Sequence, residues 1–203
     1  MIEKDNKEKY TPTPIGEVTE SSAFNLTIQC HQLYNSPAIG SLIKCGTETI
    51  VYSIIYDIKT QSLDTTRTTI ALAQNAVSVE DVYQENPQLQ NLLSTSLNTI
   101  IVGYQQNTSI THEIPSIPPK IHDLTYSCTP NEALSFSQNF SFLRILRSSN
   151  NAHIDDVIVS FIRSTLINVT NPSQLLLTAG QELARLLKDD TQRLTQLLER
   201  ISL

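Results

Sequence analysis

No tryptophan occurs in this chain of 203 residues, methionine stands only at position 1, and there are five glycines and three cysteines. Each scarcity excludes something. Cys30, Cys45 and Cys128 are odd in number and show no CxxC spacing, which argues against a disulfide framework and against a zinc site, and fits a reducing compartment. With so few glycines there is no GxxxxGK[ST] run, so the cradle of backbone amides and lysine that holds nucleotide phosphates is missing. No nucleotide or other cofactor is expected. No window is long and apolar enough for a transmembrane helix, and the opening MIEKDNKEKY has no apolar core of a leader. The expectation is a cytoplasmic protein without membrane insertion.

Positive charge is also in short supply where it would matter. The formal charge is −6, and residues 1–140 carry seven Lys and Arg against fourteen Asp and Glu, while residues 141–203 carry seven against six. The first part repels polyanions and the second attracts them weakly, so a nucleic-acid partner is not expected.

What is present begins with strands. Ile15 to Val18 starts one, and Phe24, Leu26, Ile28 and Cys30 then alternate with polar residues, a period of two that places all four on one buried face. Pro37 and Gly40 interrupt, and a second strand starts near Ser41. After the turn at Cys45-Gly46-Thr47, Thr49 to Ile58 is almost continuously apolar and β-branched, as a central strand would be. Thr68 to Ala73 can add a strand. Val79 to Ser94 changes to helical spacing, with Ser78 as a cap and Pro87 dividing the run into two short helices. Leu97 to Tyr104 returns to strand. The connections are too short for crossover helices, so a small closed barrel with an inserted helical segment is expected.

Three runs carry a family likeness: Ile15-Gly16-Glu17-Val18, Gly40-Ser41-Leu42-Ile43 and Val51-Tyr52-Ser53-Ile54-Ile55-Tyr56. Together they resemble the HAS-barrel, the N-terminal barrel shared by HerA-type DNA-translocating ATPases and ATP synthase catalytic subunits. In that resemblance Thr99 to Tyr104 looks like the last barrel strand and Ile114 to Pro119 its proline-rich exit. It implies a barrel that holds assemblies together and receives partners, here without the ATPase domain.

The remainder reads as helices. Asn131 is a plausible cap for a helix through Phe136, and Phe140 to Arg147 continues at helical spacing to a stop at Ser148-Ser149-Asn150-Asn151. Ile154, Val157, Ile158, Phe161, Ile162 and Leu166 form one apolar face behind Asp155 and Asp156, and Pro172 opens another helix. From there Leu176, Gly180, Leu183, Leu187, Asp190, Leu194, Leu197 and Ile201 follow alternating spacings of four and three, a heptad-like seam. A hairpin broken at Lys188-Asp189-Asp190 is favoured over one long helix.

The fold class expected is therefore α+β: a flexible arm over 1–12, a HAS-like β-barrel over 13–128 and an α-helical region over 129–203. No catalytic constellation stands out. Cys30 and His31 are adjacent on a strand and must point to opposite faces, and His112 and His122 need a convergence that spacing does not supply. The function expected is a non-catalytic protein-interaction or assembly module with a helical docking or oligomerisation tail. Leu183, Leu187, Leu194, Leu197 and Ile201 are its candidate partner-binding residues. The alternative is an accessory factor in DNA processing that binds nucleic acid or a nuclease or translocase.

Overall fold

The structure, a computed structural model, describes residues 13–64, 66, 70–72, 77–149, 151–167, 169 and 171–202. The arm over 1–12 and half of the strand expected at 68–73 lie outside the described residues, and 70–72 belong to no regular element.

Strands β1 (Gly16–Ser21), β2 (Asn25–Cys30), β3 (Leu42–Cys45), β4 (Thr49–Ser62), β5 (Leu93–Gln106) and β7 (Leu124–Ser127) close into an antiparallel barrel in the order β1-β7-β3-β4-β5-β2 and back to β1. The short β6 (Ser109–Thr111) pairs only with β5 and lies outside the ring. The closing stave is β7. It inserts between β1 and β3 after the proline segment, so the last barrel strand is not the one that ends at Tyr104. Its pattern hid it, because the residue that points inward is Thr125, fully buried, while Leu124 faces solvent.

Alternation decides what fills the interior. Val18, Leu26, Ile28, Cys30, Ile43, Cys45, Val51, Ile55, Leu97 and Ile101 form one buried cluster. Between them on β3, β4 and β5, Leu42, Tyr52, Ile54, Ile100 and Val102 belong to a second cluster, shared with the helices. Both faces of β4 and β5 are thus buried, which is why β4 reads as continuously apolar where β2 alternates.

Helices α1 (Val79–Glu85) and α2 (Leu89–Leu92) lie between β4 and β5, with Ser78 capping α1 reciprocally with Asp81. Thr129, and not Asn131, caps α3 (Pro130–Phe136): its side chain accepts from the Glu132 amide, Glu132 reaches back, and Pro130 opens the helix. Then follow α4 (Leu143–Ser148), α5 (Ile154–Leu166), α6 (Pro172–Leu186) and α7 (Thr191–Ile201). Asp190 caps α7, so the hairpin is broken where the charged run stands. Among the described residues no helix is long and apolar enough to cross a membrane.

Barrel and helices meet at Gly40. Its φ of +84° suits glycine, its amide donates to the Ile55 carbonyl at 2.8 Å, and Ser160 on α5 donates its hydroxyl to the Ile39 carbonyl at 2.6 Å. A Cβ there would stand 2.7 Å from the Ser160 Cβ and 2.8 Å from the Phe161 nitrogen. Gly40→Ala should therefore lower stability by about 1–3 kcal/mol through backbone strain and overlap. Gly180→Ala on α6 is the control: the added methyl meets only a Leu198 methyl at 3.5 Å, and stability should rise by about 0.5–1 kcal/mol. Urea denaturation of both variants measures the two shifts.

Candidate interaction surfaces

Side chains that could do chemistry are held in states that oppose it. Burial pushes the Cys30 thiol up, and the Cys45 and Cys128 thiols are pushed up to about 12, by burial first and then by Asp123 and Glu132 respectively. A thiol so raised holds almost no thiolate near neutrality and makes a poor nucleophile. Cys30 is the last residue of β2 and is buried, while His31 lies just past the strand end and is exposed. His112 and His122 diverge: His122 contacts Glu17 at 3.1 Å, whereas His112 turns inward. Among the described residues no group of three His, Cys, Asp or Glu side chains gathers to hold a metal.

His112 makes a contact that spacing gave no sign of. Its Nδ1 lies 3.1 Å from the Ser141 Oγ, and the ring packs 4.5 Å from the Phe136 ring and 5.3 Å from the Phe142 ring. A serine beside an imidazole is half of a nucleophile pair, but Nε2 is buried without a well-formed partner and, among the described residues, no carboxylate is bonded to the ring. Burial holds the imidazole below its ordinary value, with nearby Arg144 adding to the effect and the Phe136 main chain opposing it. The ring acts as an aromatic spacer packed between Phe136 and Phe142.

The seam of the tail is covered within the chain. Leu183, Leu187, Leu197 and Ile201 are buried, and Leu194 is half-buried against the same cluster, facing α5 and α4. This corrects the expectation that these five residues present a binding face: the apolar face of α5 is broad enough to take both arms of the hairpin. Charges lock the arrangement. Arg193 donates to both Asp155 oxygens at 2.8 and 2.6 Å, Arg200 donates to Asp156 at 2.5 Å, and Arg163 donates to the Arg200 carbonyl at 2.7 Å. The acidic first turn of α5 therefore complements its own macrodipole and also clamps α7. With Arg185 paired to Glu182, three of the tail arginines are neutralised locally.

Other surfaces remain open. The outer faces of α6 and α7 form an apolar groove around Gly180, with Leu176, Leu177, Ala184 and Leu198. A larger cleft of about 650 Å³ lies where barrel and helices join, floored by Ile100 and Ile145, rimmed by Ser148, Ser149, Asn151 and His153, and entered past Phe24 and Tyr56. Phe24 departs from its strand: Leu26, Ile28 and Cys30 are at most 7% exposed, and Phe24 is 61% exposed. It precedes the first residue of β2 and still receives the Ile101 amide on its carbonyl, but its side chain projects past the barrel wall into the cleft. Tyr52 does not share that exposure. It is buried against Phe136 and donates its hydroxyl to Gln105, so the two tyrosines of β4 form no stacking platform.

No protein-family model matches this sequence, and comparison with curated proteins finds no match.

Two outcomes follow from these placements. Leu197→Asp puts a carboxylate into the helical core and should cost about 3–5 kcal/mol, seen as a lower unfolding midpoint, while Leu177→Asp on the outer groove should stay within about 0.5 kcal/mol of the parent. His112 sets a pH dependence. Its folded value is below its ordinary one, so the unfolded chain binds the proton first, and stability is full above about pH 6.5 and falls as pH drops below it. Denaturation from pH 8 to 5 should show this loss, and His112→Leu should flatten it.

Proposed function

We propose that this chain is a cytoplasmic, non-catalytic protein-interaction or assembly module, built on a HAS-like barrel that carries a helical unit. The observation that carries the reading is Phe24. The closed ring leaves the three-residue β6 as a short outlying edge and needs no aromatic beyond its rim, so a phenylalanine left 61% exposed at the mouth of an apolar-floored cleft loses transfer free energy until something covers it. Covering it is worth about 1–2 kcal/mol on the usual scale for a partly exposed side chain of this size. The cleft is also of a size that takes the inserted side chains of a partner.

The raised thiols, and the half-buried His112 whose imidazole burial holds below its ordinary value, support the non-catalytic part of the reading. The pairing of Arg185, Arg193 and Arg200 with carboxylates disfavours direct contact with nucleic acid, so an accessory role in DNA processing would have to run through a protein partner. The tail contributes differently from its sequence reading. With its seam inside, what it can offer another protein is the outer groove at Leu177 and Leu198.

Phe24→Ser provides the test, since removal of an exposed side chain leaves the barrel circular dichroism and unfolding midpoint unchanged. Quantitative affinity capture should recover one protein in a fixed molar ratio with the parent chain and at least about tenfold less with the variant, a loss of about 1.4 kcal/mol. Equal recovery with both chains would overturn the role given to this cleft.

A further inference from the structure

Between β4 and β5 the chain leaves the barrel and returns. The Leu63 amide donates to the Leu92 carbonyl at 2.9 Å to close this excursion, and the Tyr83 and Tyr34 hydroxyls meet at 2.7 Å to tie α1 to the barrel end. Tyr34 is itself held at a φ of +61°, its amide donating to the Thr95 Oγ1 at 2.9 Å. Neither α1 nor α2 buries a single residue. Helices this short are marginal in water without a packed face, and here Val82, Tyr83 and Leu89 are only half-buried while Val79 and Leu92 are exposed. Val77 is 97% and Val79 66% exposed, and Leu63, Leu92 and Tyr34 are exposed as well.

Charge says what would cover them. Glu80 and Glu85 have no ion-pair partner among the described residues, while Asp81 accepts from the Ser78 amide in the cap. Between Arg67 and Lys120 the sequence contains no lysine or arginine at all, so nothing nearby along the chain neutralises the acids on α1. An apolar surface framed by uncompensated carboxylates is complementary to one that is apolar at its centre and basic at its rim. We infer that the excursion at α1 and α2 is a docking surface for a partner protein with a basic rim around an apolar centre. A second copy of the chain is a poorer fit, because the barrel is acidic, Arg185, Arg193 and Arg200 are already paired, and residues 141–203, with seven Lys and Arg against six Asp and Glu, are close to neutral. Polyanions are excluded by sign.

This inference rests on the interaction-module reading and adds a contact separate from the first. Phe24 stands just before the start of β2 and Tyr34 just after its end, so the two surfaces lie at opposite ends of that strand.

A photoreactive benzoylphenylalanine placed at Val79, and in a second protein at Phe24, tests it in extract of the native cells, with mass spectrometry of the attached peptides. The Val79 adduct should join one protein, at a segment rich in Lys and Arg. Its yield should fall about tenfold when Glu80→Lys and Glu85→Lys are added, and several-fold when salt is raised from about 0.05 to 0.5 M. Equal unfolding midpoints for all the proteins show that the barrel is intact. A Val79 adduct to a second copy of this chain or to an acidic segment, or a yield indifferent to salt and charge reversal, overturns the inference. So does an adduct at Phe24 with none at Val79, and in that case the interaction-module reading survives alone. No adduct at either position overturns both.

Discussion

Burial of β4 on both of its faces is the constraint from which the arrangement of barrel and helices follows. Val51 and Ile55 close the interior of the barrel, and Tyr52 and Ile54 on the same strand form the floor on which Phe136, Phe142 and the helices sit. A strand with one wet face would leave the helical region as a separate bundle with its own core. Here the second core is made jointly, and Phe142 passes the contact on to Phe161 at 5.2 Å, from the barrel wall to the middle of α5. The hairpin of α6 and α7 then completes the cover over α5. Barrel and helices are expected to unfold together, because neither has an apolar cluster the other does not share or border.

How much of this could be read beforehand depends on whether the local pattern had one meaning or two. Leu26, Ile28 and Cys30 alternate against polar neighbours, and only a half-buried strand explains that; the continuous run of β4 and the capping of α1 by Ser78 were equally legible. The strand β7 was hidden because its four residues reverse the usual polarity, with Thr125 inside and Leu124 outside. Thr129 as the cap of α3 was spelled by Thr-Pro-Asn-Glu and could have been found from the threonine and glutamate three apart.

The candidate sites fared differently for a physical reason. A seam with spacings of four and three satisfies a coiled coil and an internal hairpin alike, and sequence does not say whether the facing helix belongs to the same chain. Asp155 and Asp156 held the deciding information, since from α5 they pair with Arg193 and Arg200 on α7, but pairing at that separation is visible only in space. Phe24 was misplaced by extending a good period one step past the barrel wall. Periodicity reports which way a side chain points and says nothing about where the wall stops.

The closing stave has a consequence for the order of events in folding. Gly16 pairs with Thr125 and Cys45 pairs with Thr125 from the other side, so one short strand completes the ring across separations of over a hundred and of eighty positions. Contacts that distant pay their loop entropy before they return anything, and they form late. Until then β1 and β3 present open edges on either side of an unfilled slot. The nascent chain must therefore carry this gap while residues up to 127 are made. During that interval, more than in the finished protein, it is exposed to pairing with the wrong strand.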